Sequence, residues 1–111
     1  MNIAVLQGTL SSEPRVTELP SGATVHNYEV TTASGSGERL TVPVAWLDPV
    51  RPPKVRVADE VIVVGVVRRR WFRAAGGTQS RTEVVASVVA RPDTARAQGA
   101  MRTVAGELAA P

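Results

Sequence analysis

The stretch Val61–Arg73, VIVVGVVRRRWFR, decides how this chain folds and what it is equipped to meet. From Val61 to Val67 the residues are valine and isoleucine apart from Gly65, the composition of a buried strand. An isolated glycine inside a strand marks a bend or a close backbone approach, which a closed sheet requires. The run then passes directly into Arg68, Arg69 and Arg70, the aromatics Trp71 and Phe72, and Arg73. A core strand that emerges carrying guanidinium groups and rings suits a ligand that is both anionic and flat. Phosphates attract the cations and unstacked bases attract the rings, so single-stranded nucleic acid fits.

Four further segments read as strands around this one. Ile3–Leu10 (IAVLQGTL) is interrupted by Gly8, which predicts a bulge or bend. A turn at Pro20-Ser21-Gly22 precedes Val25–Thr32 (VHNYEVTT), and the flexible SGSG tract at 34–37 precedes Leu40–Trp46 (LTVPVAW). Pro43 within that third strand indicates an edge or a bulge. The AAGG turn at 74–77 leads to the fifth strand, Thr82–Val89 (TEVVASVV). Between the third and fourth strands, Pro49, Pro52 and Pro53 prevent a long helix.

The strands therefore define one all-β domain over residues 1–92, with 93–111 as a short, mostly mobile C-terminal tail able to order against a partner. In that tail Met101, Val104 and Leu108 have amphipathic helical spacing, weakened by Gly99 and Gly106. Five short strands with strong curvature devices predict a small closed barrel, with the OB-fold as the leading candidate. An SH3-like barrel or an open sandwich fits the same strand count.

Charge is unevenly placed. The formal balance is only +3, yet residues 51–81 hold eight cations (Arg51, Lys54, Arg56, Arg68, Arg69, Arg70, Arg73, Arg81) against Asp59 and Glu60. Residues 1–50 hold two cations against five acids. Such asymmetry points to an anionic partner. No cysteine is present, and His26 is the sole histidine, so disulfides, thiol catalysis and an ordinary zinc site are excluded. Serines and threonines lack a His–acid partner set, and neither Gly-rich piece has the Lys-Ser/Thr of a phosphate-binding loop. An enzyme is not expected, and neither a cofactor nor a metal is implied. Without a membrane-length apolar run or a signal peptide, a cytoplasmic location is expected.

The ordered series of segments resembles the bacterial single-stranded DNA-binding (SSB) proteins. NIAVLQGTLSSEPRVTELPSGATVHNYEVTT is similar to that family's first two strands, with Gly8, Leu10, Pro14, Gly22, Val25 and Asn27 carrying the match. VIVVGVVRRRWF and TEVVASVV resemble its fourth and fifth strands, and the likeness spans about residues 2–90. The resemblance implies an OB-fold that binds single-stranded DNA without sequence preference, in replication, recombination or repair, usually as a homotetramer. It implies base stacking on Trp46 at the end of strand three, and on Phe72 or its neighbour Trp71 near the end of strand four. There are departures. Leu40 stands where the family has a tryptophan, Glu29 where a neutral residue is usual, and the proline-rich segment replaces a helix. The acidic tip by which the family recruits repair enzymes is not expected of this chain.

From these readings the candidate DNA-binding residues are Trp46, Arg68, Arg69, Arg70, Trp71, Phe72, Arg73 and Arg81. Several have a plainer alternative. Trp46 shares strand parity with Val42 and Val44, which fits a core residue as well as a stacking platform. Trp71 and Phe72 point to opposite faces of a regular strand, and simple alternation puts Trp71 in the exposed row with Arg69 and Arg73. The arginines fit a solvated strand extension, but among neighbours in sequence only Asp59 and Glu60 offset them. The expected partners are single-stranded DNA and further copies of the chain, a tetramer rather than a dimer, because the first strand exposes an edge near the N-terminus. A full-length SSB or a replication protein is the partner in the alternative reading, an interaction module without general DNA binding.

Overall fold

The valine-rich strand is the spine of the molecule. The computed structural model describes residues 1–110. In chain order its elements are β1 (Ala4–Leu10), β2 (Arg15–Glu18), β3 (Thr24–Ala33), β4 (Arg39–Leu47), β5 (Glu60–Ala74), β6 (Gly77–Ala90) and α1 (Ala95–Ala109). β1 pairs antiparallel with β5 along Ala4–Thr9, and with β3 only through Thr9 and Leu10. β3 pairs antiparallel with β4, and β5 with β6. The parallel pairs Val44–Val84 and Ala45–Val85 join β4 to β6 and close the ring. The result is a closed five-stranded barrel with OB-fold-like topology, as the strand pattern predicts. β2 lies outside the ring as a flank on β3, in a segment outside the five strands that the sequence predicts.

Two glycines allow the closure. A Cβ on Gly8 would overlap the Thr31 carbonyl, and one on Gly65 would overlap the Val85 carbonyl. At Gly65 the ladder also shifts register: Val64 faces Val88 while Gly65 faces Ala86, leaving Ser87 as the extra residue on β6. The Ser87 hydroxyl donates to the Val64 carbonyl at 3.2 Å. A bulge of this kind bends the strand and increases its twist.

Alternation fills the interior with Leu10, Tyr28, Val30, Val44, Val61, Val63, Val84, Ala86 and Val89. Burial pushes the Tyr28 phenol above its ordinary value of 10 by desolvating the phenolate. The proline-rich connection forms no helix, and its Val55 is buried in the core cluster.

The C-terminal segment departs from expectation: residues 95–109 form a helix packed on β5 and β6, in place of a mobile tail. Thr94 caps it, its hydroxyl accepting from the Ala97 amide at 3.2 Å. Ala97 and Val104 are buried. Arg91 tethers the approach to the helix by donating to the Lys54 carbonyl and to Asp59, both at 3.0 Å. Docking and capping outweigh the cost of Gly99 and Gly106, about 1 kcal/mol each against alanine.

Candidate nucleic-acid interface

Beyond the barrel, β5 and β6 continue as a two-stranded arm, with Arg68 opposite Glu83 at its base and Ala74 opposite Gly77 at its tip. A two-residue turn, Ala75-Gly76, joins the strands. Sequence reading starts the fifth strand only at Thr82. The segment 77–81, GTQSR, has no apolar alternation and acquires strand structure by pairing with the RRRWF run.

Period-two alternation gives the arm two different faces. One carries Arg68, Arg70 and Phe72 with their cross-strand partners Glu83, Arg81 and Gln79. The other carries Arg69, Trp71 and Arg73 with Thr82, Ser80 and Thr78. On each face an arginine lies over a ring, Arg70 5.6 Å from the Phe72 centroid and Arg69 5.9 Å from that of Trp71. These are cation–π distances. Trp71 is 63% exposed, whereas Phe72 is half-buried.

The Arg68 face continues into a groove of about 460 Å³ on the outer surface of the barrel. Its floor is Val25, Asn27, Ala45, Leu47 and Val85, its β2 side Thr17 and Leu19, and its arm side Arg68 and Arg70. OB-folds bind oligonucleotides on this outer face of the second and third barrel strands, here β3 and β4, between the loops that flank it. Asn27 holds the β2 wall, its Nδ2 lying 3.3 Å from Thr17 Oγ1 and 3.4 Å from the Arg15 carbonyl. Among the described residues, no aromatic side chain lines the groove.

The groove-side arginines are already partnered, by residues that sequence neighbourhood does not reveal. Glu83, 4% exposed, accepts from Arg68 Nη2 at 2.7 Å and lies 3.6 Å from Arg70 Nε. Arg81 donates to Glu29 at 3.1 Å. Glu29 and Glu83, rather than Asp59 and Glu60, therefore offset the cluster; Asp59 pairs with Arg91 instead. Arg69 and Arg73 are in no ion pair among the described residues. The signal for Glu83 was available, since an acid in an otherwise apolar fifth strand needs a cationic partner if buried.

Seven of the eight candidate residues thus gather on the arm: Arg68, Arg69, Arg70, Trp71, Phe72, Arg73 and Arg81. Trp46 does not join them. It sits in the inward row with Val42 and Val44, opposite His26, partly buried and packed against the core. Counting along the sheet from the Val44–Val84 pair puts it roughly 20 Å from the level of Trp71.

No protein-family model matches this chain, and no curated protein matches it.

Proposed function

We propose that this chain is a divergent protein of the bacterial SSB type that binds single-stranded DNA without sequence preference, in replication, recombination or repair. One observation carries the reading: an arm bearing five guanidinium groups and two rings stands beside the groove on the β3–β4 outer face. Phosphate neutralisation supplies affinity, and rings with guanidinium planes accept bases of any identity. With no ring in the groove, stacking falls to Phe72 and Trp71 on the arm, and Trp46 contributes only what its partly exposed edge offers. Titration with oligo-dT at low salt, followed by tryptophan emission, tests this. Quenching that duplex DNA does not compete away supports it, and no quenching with no mobility shift overturns it. RNA competition at the same salt tells DNA preference from general single-strand binding.

A homo-oligomer, tetramer before dimer, belongs to the same proposal. On its β3 side β1 leaves Ala4–Gly8 unpaired, with Val5 exposed, and an open edge of this kind invites a second copy. A second functional reading is an interaction module for a full-length SSB or a replication protein. The pre-paired groove arginines and the lack of a groove aromatic favour it. A protein partner that survives nuclease treatment in a pull-down would decide for it.

A further inference from the structure

The two faces of the arm differ in what already occupies their charges. On the groove face every arginine has a carboxylate: Glu83 for Arg68 and Arg70, Glu29 for Arg81. On the opposite face Arg69 and Arg73 have none among the described residues, and the residues across from that row are Thr82, Ser80 and Thr78, which offer hydroxyls and no negative charge. Trp71, the most exposed aromatic of the arm, stands between these two arginines, with Arg69 over its ring at 5.9 Å. An exposed ring flanked by unpaired guanidiniums and a row of hydroxyls complements a phosphate backbone with its bases turned toward the protein. An acidic protein surface would use the two cations but leave the indole, which is 63% exposed even with Arg69 over it, without a base to stack on its open side.

We infer that the Arg69–Trp71–Arg73 face is a second binding surface for single-stranded nucleic acid, separate from the groove, so that one chain holds two strand segments at once. The inference rests on the proposed function for the class of ligand, but not for the number or place of sites. The ribbon itself separates the faces, because residues of opposite parity project to opposite sides of its backbone. A short oligonucleotide seated on one face reaches the other only by rounding the Ala75-Gly76 tip or an outer edge of the ribbon, where no third strand pairs. A longer strand passes from face to face, and two different strands are brought within one ribbon's thickness of each other.

The experiment is a count of bound oligonucleotide per chain by native mass spectrometry, using an oligo-dT of about five nucleotides, near the smallest OB site size. Wild type is expected to take two per chain, and Trp71→Ser one. Leu47→Glu, which puts a carboxylate at an exposed groove position, is expected to take one as well, and the double variant none. Both positions are exposed, so loss of folding does not confound the count, and circular dichroism checks it. One oligonucleotide per wild-type chain, weakened by either substitution, would show a single continuous site and overturn this inference while leaving the proposed function standing. Loss through Leu47→Glu alone overturns it as well. No binding by the wild-type chain overturns both.

Discussion

Glu83 Oε2 and Arg68 Nη2 meet at 2.7 Å across the base of the arm, the carboxylate almost completely buried and the guanidinium half exposed. This pair changes the meaning of the arginine run. A buried carboxylate without its partner is costly, because it loses hydration and nothing in the interior replaces it. Arg68 is therefore a structural residue before it is a ligand-binding one. Arg70, at 3.6 Å from the same carboxylate, is the weaker partner.

Arg68→Ala should accordingly lower folding stability by about 1.5–3 kcal/mol, the range for hydrogen bonds to charged groups. Arg70→Ala should cost less than about 1 kcal/mol, as a longer, solvent-screened pair. Urea denaturation of the two variants measures the difference. Equal midpoints would show that Glu83 does not depend on Arg68.

The unpaired arginines should behave the other way. Arg69→Ala and Arg73→Ala should leave stability within about 0.5 kcal/mol of wild type, as surface changes do. Each should flatten the dependence of log affinity on log salt by about 0.7 per lost phosphate contact. Binding isotherms for oligo-dT at several salt concentrations read that slope. An unchanged slope in both variants would remove this face from the interface.

Much of the barrel was legible because its determinants are local. Valine-rich runs, their punctuation by turns, and Gly8 and Gly65 at the points of closure are all visible in a window of ten residues. What was not legible depends on residues far apart in sequence. Glu29 and Glu83 find their arginines only once β3, β5 and β6 are assembled. GTQSR at 77–81 is strand only because RRRWF lies beside it, and β2 is strand only because β3 offers an edge. Helix α1 exceeds its sequence expectation for a related reason: propensity counts Gly99 and Gly106 against it, but not the seat for Ala97 and Val104. Parity was readable for Trp71 and Phe72, although which row faced the groove required the closed ring.

Gly65 tests the closure directly. The Val85 carbonyl lies where a side chain would begin, and both are backbone atoms of paired strands, so neither yields cheaply. Gly65→Ala should destabilise the barrel by about 1–3 kcal/mol, as other forced overpacking does. Gly76→Ala, in open space at the arm tip, is the matched control and should be close to neutral. Thermal melts of the two compare them, and a Gly65→Ala protein as stable as wild type would mean that the sheet does not coil there.

Tyr28 gives the alkaline limb a sign. Its folded value lies above the ordinary 10, because burial disfavours the phenolate. Between those two values the unfolded chain has released the phenolic proton and the folded chain still holds it. The contribution is therefore fully present below pH 10 and is lost as pH rises through the folded value. Tyr28→Phe should show a shallower loss of stability above pH 10 than wild type, measured by denaturation midpoints across that window. Parallel curves for the two proteins would contradict the burial of the phenol.

Glu29 decides how many cations the groove face can offer. Its pair with Arg81 is partly solvent-exposed on both sides, so the pair itself is worth at most about 1 kcal/mol to folding. While it stands, Arg81 presents no net charge to a phosphate. Glu29→Gln keeps the shape and removes the charge, which frees the guanidinium. The variant should bind oligo-dT more tightly at low salt and steepen the salt dependence by about 0.7, one further phosphate on a single strand. Net charge alone would also favour binding, so Glu107→Gln on α1 serves as the equal-charge control and should change neither quantity. Adding Arg81→Ala to Glu29→Gln should return the slope to the wild-type value, because the freed cation is then absent. A gain that survives Arg81→Ala, or one that Glu107→Gln matches, would show that Glu29 acts through the overall field and not through Arg81.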